Sequence, residues 1–120
     1  MRYMLIHYID ESLLNAWEDG EEEWGPEEDR ALREWDEEMD ARGILVGGGG
    51  LKAPRSTTTL RVRDGEVLIT DGPFAETKEQ IAGYSVLECS NLDQAIEVAS
   101  RHPTARIGTF ELRPYVEEPE

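Results

Sequence analysis

The sequence predicts one α+β domain of ferredoxin-like βαββαβ plan with an inserted β-hairpin. Three observations carry that prediction. Aromatic and branched residues cluster at both ends of the chain, two segments between them repeat apolar residues at helical spacing, and Asp64-Gly65 joins two further β-rich runs. A length of 120 residues suits a single domain with one modest core.

The stretch RYMLIHYI is too short for a helix and rich in aromatic and branched side chains, so Arg2 to Ile9 reads as the first strand. Gly25-Pro26 marks a helix start: proline suits a first turn, and Glu27, Glu28 and Asp29 complement the positive end of the dipole. Leu32, Trp35 and Met39 form one apolar stripe and Gly43 is a natural stop, giving a helix from Pro26 to Arg42. Ile44 to Gly47 reads as a strand ending in four glycines, where a bend or bulge is expected. Thr57 to Arg63 and Glu66 to Thr70 form the hairpin, because the type I′ turn favoured by Asp64-Gly65 needs positive φ. IAGYSVLEC supplies another strand, and Asn91 with Gln94 forms a capping box ahead of a helix from Leu92 to Arg101 that Pro103 ends. RIGTFELRPYV alternates as a closing strand before the acidic tail EEPE, which is expected to fray.

Acidic residues outnumber basic ones 27 to 12, a net charge of -15 that repels phosphate backbones and anionic lipid. Direct nucleic-acid binding and membrane-surface roles are therefore disfavoured. The apolar run at the N-terminus is too short for a signal-peptide core and nothing downstream approaches a spanning length, so a cytoplasmic location is expected. The single cysteine, Cys89, excludes an internal disulfide and a cysteine metal cluster, and reads as a buried strand thiol. GGGG lacks the Lys-Ser/Thr and following helix of a phosphate loop, and the histidines and acids show no recognised ligand spacing, so neither cofactor nor metal is expected.

Both faces of the strands are apolar: Met4, Ile6 and Tyr8 oppose Tyr3, Leu5 and His7, and Tyr84 and Val86 oppose Leu87 and Cys89. Two helices cover only one face of such a sheet. A second copy packed sheet against sheet is expected on the other, making the protein a homodimer. Trp35 reads as core, while Trp17 and Trp24 beside the acidic run suggest a protein-contact surface.

The segment TDGPFAETKEQIAGY resembles the defining motif of the DGPF-domain family, a branch of the YCII-related proteins. RYMLIHY, ARGILVGGGGL and RHPTARIGTFELRPY agree with it, so the resemblance spans nearly the whole chain. It implies a ferredoxin-like fold that dimerises through its sheets into an α+β barrel, with a cleft between sheet, helix and partner. It also implies a His–Asp acid/base pair acting on small molecules, and an association with sigma factors of the extracytoplasmic-function type. Gly49 stands where relatives often carry an acid.

Several residues are candidates for that cleft. Asp71 follows a strand and precedes Gly72-Pro73; its carboxylate either sets the turn by accepting backbone N–H groups or serves as a general base or the orienter of a histidine. Gly72 and Pro73 shape the exit from the hairpin, and Phe74 is expected to anchor it in the core. His7 and His102 are the only histidines. His7 lines a cleft or fills the dimer interface, and His102 either caps the second helix, whose dipole favours its charged form, or joins Asp71 as the proton carrier. Lys78 belongs to a solvated loop or holds an anionic substrate. Glu111 and Arg113 fall opposite Phe110 and Leu112, as a register-fixing pair or as substrate contacts, an arginine there favouring carboxylate or phosphate. The combined expectation is a homodimer with a cleft for a small polar or anionic metabolite. The alternative is a non-enzymatic accessory or regulatory module, partnered with a sigma factor.

Overall fold

The computed structural model describes residues 1–117, so most of the EEPE tail lies outside the described residues. The elements are β1 (Arg2–Asp10), α1 (Glu11–Asp19), α2 (Pro26–Ala41), β2 (Leu45–Gly50), β3 (Thr58–Arg63), β4 (Glu66–Asp71), β5 (Glu79–Glu88), α3 (Leu92–Ser100) and β6 (Thr109–Pro114). Short 3-10 turns occupy Pro54–Ser56 and Pro103–Arg106. The main sheet runs β2-β5-β1-β6 with every pair antiparallel, which is the ferredoxin-like order, and β3-β4 forms a separate two-stranded ribbon. The expected α+β architecture with its inserted hairpin is thus present.

Helix α1 was not foreseen. Asp10 caps it by accepting the Ser12 amide at 2.9 Å, Gly20 ends it in the left-handed conformation, and Leu13, Leu14 and Trp17 give it an apolar face. It packs, through Leu14, on a small cluster with Ile9 and Ala53. The principal core lies between the sheet and the other two helices: Trp35 and Met39 of α2 and Ala95, Val98 and Ala99 of α3 cover Tyr3, Leu5 and Leu87. Trp35 Nε1 donates to the Val98 carbonyl at 3.0 Å, joining those helices inside the core. Cys89 is buried in the same cluster, and burial raises its pKa.

One irregularity positions the site. His7 pairs with Gly83 but Tyr8 pairs with Ile81, leaving Ala82 as an extra residue on β5. Because the bulge lies on β5, alternation along β1 is unbroken, and Tyr3, Leu5, His7 and Ile9 all face the helices. The second bulge, at Val46, precedes Gly48, whose φ of +146° and close approach to the Tyr84 carbonyl leave no room for a side chain.

The ribbon turns on Asp64 and Gly65, both at positive φ, as a type I′ turn requires. It packs chiefly against itself, with Leu60, Val62, Val67, Leu68 and Ile69 all exposed. The expectation that Phe74 anchors this segment in the core is corrected: Phe74 is 80% exposed. The ribbon's projection makes the molecule flat, 48 × 45 × 19 Å, with a radius of gyration of 16.4 Å; a compact chain of this length has about 14 Å.

Candidate functional site

A cavity of about 590 Å³ opens between α1, α2 and the β2-β5 edge of the sheet. His7 and His102 line its inner end, Trp17 and Trp24 supply aromatic walls, and Asp36 and Asp40 are its charged residues among the described ones. Its floor is bare backbone. Gly50 pairs with Gly83, and Gly83 pairs with His7, so on the β5-β2 side of the imidazole this row of the helix-facing side carries no side chain. A Cβ on Gly50 would meet nothing within 4 Å.

His102 is only 4% exposed. It is held edge-on between Trp35 and His7, with ring centroids 4.6 Å and 4.7 Å away. It follows α3 but does its capping elsewhere, on the 3-10 turn that begins at Pro103. Its Nδ1 accepts the Thr104 amide at 3.2 Å and lies 2.6 Å from the Thr104 hydroxyl. An amide N–H can only donate, so Nδ1 carries no proton and the neutral ring bears its hydrogen on Nε2. That nitrogen makes no hydrogen bond within the described residues. The expectation that a helix dipole keeps His102 charged is overturned: burial, with a lesser contribution from His7, lowers its pKa from 6.5 to about 3.

His7 stacks on Phe110 at 4.5 Å and its Nε2 lies 3.4 Å from the Ser85 hydroxyl. Burial lowers its pKa from 6.5 to about 4. Both imidazoles are therefore neutral near pH 7, with proton-accepting capacity in reserve. Desolvation moves Asp36 the other way, raising its pKa.

The structure brings together only part of the predicted set. His7 and His102 meet at the cavity, whereas Asp71, Lys78, Glu111 and Arg113 lie outside its lining. Asp71 ends β4 on the exposed ribbon, and among the described residues its carboxylate accepts no hydrogen bond, so it neither sets the turn in this chain nor reaches His102 within the cavity. Lys78 is exposed, and among the described residues its one hydrogen bond is through its carbonyl, which accepts from the Glu11 amide at 2.8 Å. Glu111 and Arg113 lie exposed on the open face of the sheet, where hydrogen bonding to Glu111 raises the pKa of Tyr8. The aspartates that do line the cavity, Asp36 and Asp40, belong to a stretch with 13 acids in 23 positions, Glu18 to Asp40, where nothing in the sequence sets them apart. Their spacing from Leu32 was the available signal: residues 32, 36 and 40 share one helix face, and all three line the cavity.

The fold and the site define a ferredoxin-like α+β domain with a helix-covered histidine cavity. The chain belongs to the YCII-related domain family, whose model matches residues 1–119. It is 34% identical over 120 residues to an uncharacterised protein of Rhizobium meliloti (strain 1021), covering 95% of this chain and 91% of that one. Among solved structures it is similar to 5-chloro-2-hydroxyhydroquinone dehydrochlorinase (TftG) from Burkholderia phenoliruptrix AC1100, in complex with 2,5-dihydroxybenzoquinone. The TM-score is 0.53 at 12% identity, with 98% of this chain and 96% of that chain covered. At that identity the likeness shows the shared fold. No helix of the described residues is long and apolar enough to cross a membrane.

Proposed function

We propose that this chain is a small-molecule-binding YCII-related protein whose cavity performs acid/base chemistry through His7 and His102, within a homodimer of the DGPF branch. The observation that carries the reading is the contact of two neutral imidazoles, 4.7 Å apart, in the wall of a 590 Å³ cavity. Their roles differ. With Nδ1 committed to Thr104, His102 presents an Nε2–H that suits polarising a substrate oxygen, and a second proton on Nδ1 would break the turn. His7 is the base: its ring accepts a proton from the substrate and returns it to a second substrate position or to water. Asp36 and Asp40, rather than the Asp71 expected beside a histidine, are the carboxylates in the lining of that cavity.

The likeness to a dehydrochlorinase holding a small dihydroxylated ring supports a small-molecule role in this fold. The DGPF placement draws on the motif of residues 70 to 84, and the homodimer draws on the apolar open face around Met4, Ile6, Tyr84 and Val86. A thermal-shift screen of small polar metabolites tests the central reading, because a ligand of the folded state raises Tm. Hits should move the ring signals of both histidines in NMR spectra and lose their effect in His7→Gln. Hits that act equally on the variant, or leave the histidine signals in place, would sink it.

A further inference from the structure

The charge of the cavity is one-sided. Among the described residues no arginine or lysine lines it, both histidines are neutral, and Asp36 and Asp40 are its only charged groups. The nearby arginines are engaged elsewhere, Arg42 and Arg101 with Glu38 and Glu97, and among the described residues neither aspartate has an ion-pair partner or a side-chain hydrogen bond. Their placement costs stability in the empty protein. Like charges four residues apart repel on a helix, and both sit in the C-terminal half of α2, toward the negative end of its dipole. Trp17 and Trp24, edge to face at 5.6 Å, share the cavity with them. Indole faces beside carboxylates attract a cation through the ring quadrupole as well as by charge. At the inner end, His102 is 4% exposed with its Nε2 unpartnered, so the same cavity also offers a buried donor for a polar group.

We propose that the cavity selects small molecules bearing a protonated amine, seated between Trp17, Trp24 and the carboxylates of Asp36 and Asp40, with the polar end directed at His7 and His102. The proposal rests on the cavity being a small-molecule site, and it replaces the anionic ligand expected from Arg113 and Lys78, which lie outside the lining.

Benzylamine, benzyl alcohol and benzoate form a matched probe set, differing chiefly in charge at neutral pH. Binding to the full chain is followed by NMR, through the Trp indole and His ring signals, and by titration calorimetry. Benzylamine should bind about tenfold tighter than benzyl alcohol, equivalent to 1.4 kcal/mol, with benzoate weakest. The Asp36→Asn, Asp40→Asn double variant, altered only at exposed and unpaired side chains, should bring the amine down to the alcohol's affinity. Benzoate binding as tightly as the amine, or an amine preference that survives the double variant, overturns the cationic assignment. In those two cases histidine shifts with benzyl alcohol still uphold the small-molecule site. Silence from all three probes at millimolar concentration defeats both readings together.

Discussion

His7 and His102 meet edge to face at 62°, and each also contacts Phe110. Two bases buried against each other and an aromatic ring bind protons less readily than they do in water. Their folded pKa values, about 4 and about 3, lie below the ordinary 6.5, so the unfolded chain takes up protons first as the solution is acidified. The stability gained by burying neutral rings is complete above pH 6.5 and is lost as pH falls, down to about 4 for His7 and about 3 for His102. Denaturant unfolding should show a loss on the order of 2 to 4 kcal/mol between pH 7.5 and pH 5. Replacement of His7 by Gln should flatten that slope; an unchanged slope would mean the rings are solvated.

Filling the bare floor should separate fold from function. Gly50→Val adds a side chain where a Cβ meets nothing within 4 Å, so stability should change by less than about 1 kcal/mol while ligand binding falls at least about tenfold. Intact binding in a folded variant would place the ligand elsewhere.

The indole of Trp35 supports the site from behind. Trp35→Phe removes the donor to the Val98 carbonyl and leaves a void against His102, at a cost of about 2 kcal/mol. A Tm lower by roughly 5–10 °C is the expected scan result for a domain of this size. No fall in Tm would show that water replaces the lost hydrogen bond.

The open face offers a test of association. Ile6 lies between Tyr84 and Glu111 on that face, away from both core clusters. Sedimentation should find wild type as a dimer and Ile6→Lys as a folded monomer, because a charge in an apolar contact is left without water or partner. A wild-type monomer at micromolar concentration contradicts the assembly.

Much of the fold was legible because its signals are local. Gly25-Pro26 starts α2, Asn91 caps α3 by accepting the Gln94 amide, and Asp64-Gly65 turns the ribbon, each acting within a few residues. Helix α1 had the same kinds of signal in Asp10, Leu14 and Gly20, hidden by the acidic composition that follows. The site was less legible because it depends on proximity across the chain. His7 and His102 are 95 positions apart, and their neutrality comes from burial that no local pattern encodes. Asp71 drew attention through the motif around it, yet its strand carries it out onto the ribbon, while Asp36 is brought to the cavity only by the packing of α2 on the sheet.

The extra residue on β5 has a consequence for how the cavity can change. Ala82 lies where the sheet passes from the larger core to the cluster beneath α1, so the space beside His7 is a phase difference between two separately packed halves. Its volume is governed by how many residues β5 spends on that passage, as well as by the bulk of the side chains around it. Deleting Ala82 would bring the strands back into step while leaving Ile81 opposite Tyr8 on the open face, so the removal of a single residue would take a side chain away from the cluster beneath α1.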